Sequence, residues 1–485
     1  MNWLKIKNNS KIQISEIPTL NINELREEIL SLNLRPLGFF GNNQNNGVRL
    51  FVLLADEENS EILVSSALFK EGENSYDSIT QDISSFHIFE REFYEQFKIL
   101  PLNHPWLKPV RENQDEYEFF EMEGEEVHQV AVGPIHAGII EPGHFRFMCN
   151  GEKVYHLEIM LGYQNRGVED LMLKNHSNQL AESICGDSVI AYNTAYSQIV
   201  ETLSDIKISK KAQLIRKIAL EMERVAIHIG DLGAIAGDIA YLMGASVCGA
   251  TRTLVINTML EFCGSRFGRG FITVGGVNFD LDENKIQRAI QTLNKVEKDV
   301  TRIVHTMLKN ATVISRLEKT GTISLEKAKE IGLVGLPAKA CGINSDSRFN
   351  FPDEWNEKLN LKQKTLTGVG DVNSRFKIRY KEIKQSISMI KKMFDLLNEY
   401  KNEPIQVSKN EMNKNSLAIS VVESWRGEVV NVALTNDNGK FSRFKIKDAS
   451  FNNWYGLALA VRNNGVSDFP LFNKSFNLSY CGNDL

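Results

Sequence analysis

Residues 219–234 read ALEMERVAIHIGDLGA, inside a longer stretch, AQLIRKIALEMERVAIHIGDLGAIAGDIAYLMGASV (212–247). Apolar residues recur through it at helical spacing, so the stretch reads as helix. Glycines are scattered within the pattern, and small residues let neighbouring helices come close. Glu221, Arg224 and His228 fall at i, i+3 and i+7, which puts all three on one helical face. This stretch makes the body of the chain a helical domain.

Further helices and strands are expected around that body. ENKIQRAIQTLNKVEKDVTRIVHTMLKN (283–310) predicts a long amphipathic helix, and GDVNSRFKIRYKEIKQSISMIKKMFDLLNEY (370–400) predicts another. In the second, Asp371, Arg375 and Arg379 stand at i, i+4 and i+8, the spacing of ion pairing along a helix face. SLAISVVESWRGEVVNVAL (416–434) alternates like two strands around a polar turn. Towards the N-terminus, GVRLFVLLAD (47–56) is a β-rich apolar run. FEREFYEQFKI (89–99) then places Phe89, Phe93 and Phe97 on one helical face. Pro101 and Pro105 interrupt regular structure after residue 99. The acid-rich segment beyond them reads as a solvated linker. The expectation is an α+β chain: a small α/β domain over residues 1–110, a linker over 111–127, and a large mainly α-helical domain with peripheral strands over 128–485.

Totals exclude several function classes. With 485 residues and 42% apolar content, two or three domains with a large core are expected. Lysine plus arginine number 56 against 61 acids, a net charge of −5, which gives no support to nucleic-acid binding. The six cysteines are scattered, with no C-x-x-C pair and no disulfide framework. The N-terminal residues lack the apolar stretch of a signal peptide. The longest apolar run, 234–250, is interrupted by Asp238 and is too short for a bilayer span. A soluble, reduced protein that can dock on a membrane complex is expected.

SICGDS (183–188) resembles the first half of a C-x-x-C metal motif, yet its fourth position is Ser188. Four stretches together carry a family resemblance: VGPIHAGIIEPGHFRF (132–147), LEIMLGYQNRGVEDLM with ESICGDSVIAYNTAYSQIVE (157–172 and 182–201), the 219–234 stretch, and VSDFPLFNKSFNLSYCGNDL (466–485). They resemble the large subunit of membrane-bound, energy-converting [NiFe] hydrogenases, which is similar to the 49-kDa-type subunit of respiratory complex I. FEREFYEQFKILPLNHPWLKPV (89–110) resembles the 30-kDa-type subunit of complex I. A fusion of the two is the pattern of formate hydrogenlyase and hydrogenase-4 component G.

The resemblance implies four metal-ligand positions, and here they hold Cys185, Ser188, Ser479 and Gly482. Soft thiolates hold such metals; serine is a hard ligand and glycine has no side chain. Cys481 lies between the late positions. No NiFe centre is expected, and Cys185 is expected to be a buried free thiol. Tyr192 replaces the family's histidine after the first pair, and Lys339 stands where the family has an arginine beside the ligands.

With the metal gone, complex I implies a quinone-type acceptor. His144 matches a histidine that donates to a quinone carbonyl; its other reading is a structural hydrogen bond. Lys339 is placed in the same cavity. Tyr192 is either a substitute for the quinone's tyrosine partner or a packed core residue. Asp187 is a proton acceptor or a helix cap. Arg166 and Glu169 match R-G-x-E, where Glu169 is a proton relay if burial raises its pKa, or half of a buried Arg–Glu pair. Glu221, Arg224 and His228 are a structural seam or a proton-coupling one. His136 is read as bracing a loop.

There is no iron–sulfur motif, so electrons are expected from a [4Fe–4S] cluster in a small iron–sulfur subunit. Antiporter-like membrane subunits are the expected ion pumps, and any NAD binding or formate oxidation belongs to a partner. The resemblance places the chain peripherally on the cytoplasmic side of the inner membrane. A non-catalytic scaffold subunit is the alternative, and a working NiFe hydrogenase the remote one.

Overall fold

A computed structural model describes residues 2–112, 117–136, 140–366 and 369–485, with only the backbone of Glu357. Parts of the acidic segment (113–116) and of the first family motif (137–139) lie outside the described residues.

The N-terminal unit is an antiparallel meander of strands Arg35–Gln44, Gly47–Asp56 and Glu61–Lys70. Leu4–Ile6 adds to its edge antiparallel and Thr19–Leu20 parallel. Helices α1 (Ile22–Leu32) and α2 (His87–Phe97) cover one face. As the four-residue spacing predicts, Phe89 and Phe93 are buried there, and Phe93 meets Phe39 edge-to-face at 5.5 Å. The other face packs Phe40, Phe51 and Leu53 against Leu417, Ile419 and Val432 of a second sheet. Burial on both faces is why residues 50–55 read as an unbroken apolar run.

That second sheet runs Phe441–Lys447, Glu428–Thr435, Ser416–Glu423, and its fourth strand is Lys11–Gln13 from the N-terminus. The two predicted domains therefore share a sheet. The predicted linker is in part a strap. Tyr117 is buried and donates to Glu158 at 3.0 Å, and the Phe120 amide donates to the same carboxylate at 2.6 Å.

The helical body contains α3 (Val168–Asn175), α4 (Asn178–Glu182), α5 (Val189–Leu203), α6 (Lys210–Asp238), α7 (Leu242–Cys263) and α8 (Glu283–Lys309). The 212–247 pattern is thus two helices, broken after Asp238. Ser209 caps α6 by accepting from Ala212 N, and Asp282 caps α8 by accepting from Lys285 N, each worth about 1 kcal/mol. α6 packs between α7 and the Val372–Leu397 helix. The expected Asp371–Arg375–Arg379 face pairing does not form. Asp371 is that helix's N-cap, Arg375 donates to Gly321 O and Gly370 O, and Arg379 pairs with Asp231 on α6 at 2.8 Å. Among the described residues no helix is long and apolar enough to cross a membrane.

Candidate functional site

The four family stretches converge on the C-terminal turn, residues 477–484. Glu141 accepts from Cys481 N at 3.0 Å. Asp484 accepts from the amides of Gly162 and Gln164 at 2.8 and 3.0 Å. Asn477 donates to Asp231 on α6 at 2.7 Å. Cys185 and Ser479 meet at 3.2 Å.

A hairpin tip completes the site. Strands Ser416–Glu423 and Glu428–Thr435 are joined by the turn 424–427, which carries Trp425 and Arg426. Gly335 and Gly427 let the tip dock. A Cβ on Gly335 would stand 2.2 Å from Arg426 O, and both glycines have positive φ. Arg224 on α6 grips the tip from below, donating to Glu423 O and Ser424 O at 2.7 and 2.9 Å. So held, Arg426 makes a bidentate pair with Asp187, 2.7 Å on each arm, and donates to Ser188 Oγ at 3.2 Å and Cys185 Sγ at 3.6 Å.

These residues do not fit a NiFe pair. Cys185 donates to Asp187 at 3.0 Å, and both Cys185 and Cys481 lie against Ser479 Oγ, at 3.2 and 3.5 Å. The neighbouring Cys481 thiol, then burial, push the Cys185 pKa well up, so the group is a thiol rather than a thiolate. Ser479 Oγ also accepts from Gly482 N. The fourth ligand position is filled by other atoms. A Cβ on Gly482 would stand 2.7 Å from the Tyr192 hydroxyl, 2.8 Å from Ser479 Oγ and 3.1 Å from Asp448 Cγ. Tyr192 is fully buried and donates to Asp448 at 2.8 Å. It is a plug for the lost ligand. Two cysteines, two hydroxyls and a guanidinium fall short of the four soft sulfur donors such metals need. Among the described residues no three His, Cys, Asp or Glu converge as a metal cage.

Lys339 lies elsewhere. Its ammonium has three donors, and all three are spent, on Asp346 (2.9 Å), Glu382 (2.8 Å) and Glu423 (2.9 Å). None remains for a headgroup, and the cation beside Cys185 is Arg426. Despite burial, those carboxylates hold the Lys339 pKa up. The same cage takes in the polar face of α6. His228 bonds Glu382 at 2.7 Å, and Glu221 bonds Arg224, Arg348 and Ser386. Burial keeps the His228 pKa low despite Glu382.

Asp187 is not a helix cap: Ser188 holds that position, and Arg426 outweighs burial to keep the Asp187 carboxyl ionised. Arg166 and Glu169 do not pair. Arg166 is exposed and donates to Ser183 O and Ile184 O at 2.8 Å. Glu169 is buried against Lys445 at 2.9 Å, and Lys445 also holds Glu92, which pairs with Arg111. Burial alone would raise Glu169, but Lys445, then Arg443 and Arg111, hold it down at about 2. It stays ionised at working pH, so the raised pKa its relay reading needs is missing. His144 is half-buried, 4.9 Å from the Phe119 ring and 3.4 Å from Arg146 Nε; burial and then Arg146 lower its pKa. His136 packs on Phe145 at 5.5 Å.

Sequence reasoning missed Arg426 and Glu223. The W-R-G triplet at a strand turn was the signal for the first. Glu223 is 9% exposed, accepts from Ile190 N at 2.8 Å, and has its other oxygen unpartnered. Burial pushes its pKa up to about 8, the Ile190 amide opposing and Asp187 adding.

Comparison with known proteins finds relatives among subunits of respiratory and hydrogenase complexes. Residues 238–417 match the family described as respiratory-chain NADH dehydrogenase, 49 Kd subunit. Formate hydrogenlyase subunit 5 of Escherichia coli K12 is 26% identical over 96% of this chain and 88% of its own length. Hydrogenase-4 component G of the same organism is 25% identical over 87% and 78%. A chain from the structure of the membrane-bound sulfane sulfur reductase, an archaeal respiratory membrane complex, superposes with a TM-score of 0.68 at 20% identity. It covers 74% of this chain and 99% of its own. That likeness establishes the fold.

Proposed function

We propose that this chain, a homologue of the large subunits of energy-converting hydrogenases, is the large subunit of a membrane-associated respiratory oxidoreductase complex. It passes electrons from a [4Fe–4S] cluster in a partner iron–sulfur subunit to a quinone-type acceptor. Two electrons and two protons convert the quinone to its quinol, without a NiFe centre. Antiporter-like membrane subunits use the released energy to pump ions, and the chain sits on the cytoplasmic side, peripheral to them.

The observation that supports this most is the plug. Tyr192 occupies the place a fourth ligand would need at Gly482, while the motifs around it stay stitched together. A site kept in order without its metal fits electron transfer to an organic acceptor, and residues 238–417 match the family described as respiratory-chain NADH dehydrogenase, 49 Kd subunit. The test is quinone reduction by the purified complex with an inhibitor titration, beside His144→Ala. Loss of turnover in that variant supports the reading. No quinone reduction, or an unaffected variant, defeats it.

One observation favours a second acceptor. Cys185 and Cys481 meet at Ser479, beside a guanidinium. Two thiols so placed fit hydrogen bonding to a sulfane-sulfur chain, where an organic trisulfide takes two electrons from the partner's cluster and two protons to give a persulfide and a thiol. Trisulfide reduction lost in Cys185→Ser and Cys481→Ser supports it. Reduction of neither acceptor leaves the chain a scaffold subunit.

A further inference from the structure

Both acceptors consume protons, and the site is buried. We infer that Glu223 stores such a proton and releases it on the side of the site where Asp187 holds the Cys185 thiol. This deepens the oxidoreductase reading and rests on it.

The geometry is a chain of three groups. Glu223 projects from α6 with one oxygen fixed by the Ile190 amide at 2.8 Å, in the first turn of α5. Its second oxygen has no partner, although the residue is nine-tenths buried. A buried acceptor left unpaired is costly, and the cost persists unless a proton or a water meets it. A cavity of about 20 Å³ lies there, bordered by Glu223 and Asp187, by Val255 and Met259 of α7, and by Arg266 and Phe267 beyond α7. That volume is about the size of one water. On the far side of the cavity, Asp187 accepts from Cys185 Sγ at 3.0 Å and is fixed by Arg426. A proton leaving Glu223 is drawn to this side by the Asp187 carboxylate, which Arg426 keeps ionised, and ends on the acceptor; Glu223 is then recharged from the Arg266–Phe267 side.

The groups facing Glu223 set its charge. Asp187 repels a second negative charge from the turn before α5. Arg224, one residue on along α6, is occupied with the hairpin carbonyls and Glu221. Arg252 and Arg266 both lie over the Phe267 ring at 5.9 Å, at the cavity's outer edge. The α7 face towards the cavity is Val255, Ile256 and Met259, which offer no charge. Burial without a direct cation keeps this carboxyl protonated through neutral pH, at about 8. Glu169, the family's matching glutamate, is neutralised by lysine and does not titrate there.

Glu223 touches neither acceptor nor thiol, so its test needs a readout that packing would not move. Glu223→Gln and Glu223→Asp are made in the intact complex. Infrared difference spectra, dithionite-reduced minus oxidised, need no acceptor. The carbonyl stretch of a protonated carboxyl is expected to respond to reduction in the wild type below about pH 8, to vanish in Glu223→Gln and to return, shifted, in Glu223→Asp. Turnover in Glu223→Gln is expected to fall about a hundredfold and its pH profile to flatten, with partial rescue by Glu223→Asp. No redox-linked carboxyl signal assignable to Glu223 overturns the inference, whether or not an acceptor is reduced. A Gln variant with wild-type turnover and pH profile also overturns it. Failure of both acceptor assays with the infrared signal intact removes the acceptor assignment and leaves the proton store standing.

Discussion

Glu169 and Glu223 are buried to nearly the same degree, 6% and 9% exposed, and flank the same site. Glu169 holds Ile446 N, two residues before the Asp448 that anchors Tyr192. Glu223 holds Ile190 N, beside Asp187. Yet one carboxyl is held at about 2 and the other rises to about 8. Burial pushes both upward; Lys445, Arg443 and Arg111 surround the first, while the second has two backbone amides, a weaker pull from Arg224 and a like charge in Asp187. Burial therefore does not pick out a relay residue. The partner does, and in this chain the lysine has gone to the glutamate that the family motif marks.

The largest effect is expected at the clamp itself. Lys445→Met leaves Glu169 and Glu92 buried without their shared cation and should cost about 3–5 kcal/mol, read by chemical denaturation. The two carboxylates should next separate by pH. Glu169 is depressed below the usual 4.5, so its contribution is complete above pH 4.5 and is lost as pH falls towards 2, at most about 3 kcal/mol. Glu223 is raised, so its contribution is complete below pH 4.5 and is lost as pH climbs through 8, roughly 3 kcal/mol of it by pH 7. Stability curves of Glu169→Gln and Glu223→Gln should each lose one limb and keep the other. A neutral limb that survives in Glu223→Gln breaks the contrast.

Smaller effects sharpen the ground between the two. Gly482→Ala forces a Cβ against the Tyr192 hydroxyl and should cost about 1–3 kcal/mol. Adding Tyr192→Phe should recover part of that, a favourable coupling in a double-mutant cycle. Ser479→Ala removes the hydroxyl between the thiols and should cost about 1 kcal/mol.

Elements governed by local pattern were legible in the sequence. The 283–310 periodicity became α8, Glu283–Lys309, and 416–434 became a hairpin. Cys185 and Ser479, far apart in sequence, meet at 3.2 Å, whereas Lys339 lies elsewhere. What stayed hidden depends on where a helix starts or on approach between distant segments. Arg166 and Glu169 are three apart, but α3 begins at Val168, after Gly167 at φ +60°, so Arg166 never joins the helix face. Asp371 fails in the same way as an N-cap. Arg426 sits in a turn that reads as polar surface; only Gly335 against Gly427 and the grip of Arg224 carry it to Cys185. Glu223, one residue from Arg224, points to another neighbour, and no spacing rule tells it from Glu221.

The proposed electron transfer without nickel rests on the rebuilt donor set, and metal analysis of the purified, active complex tests it directly. Nickel well below one atom per chain, unchanged by nickel in the growth medium, is the predicted result. One nickel per chain, with hydrogen uptake or evolution that depends on it, would contradict it.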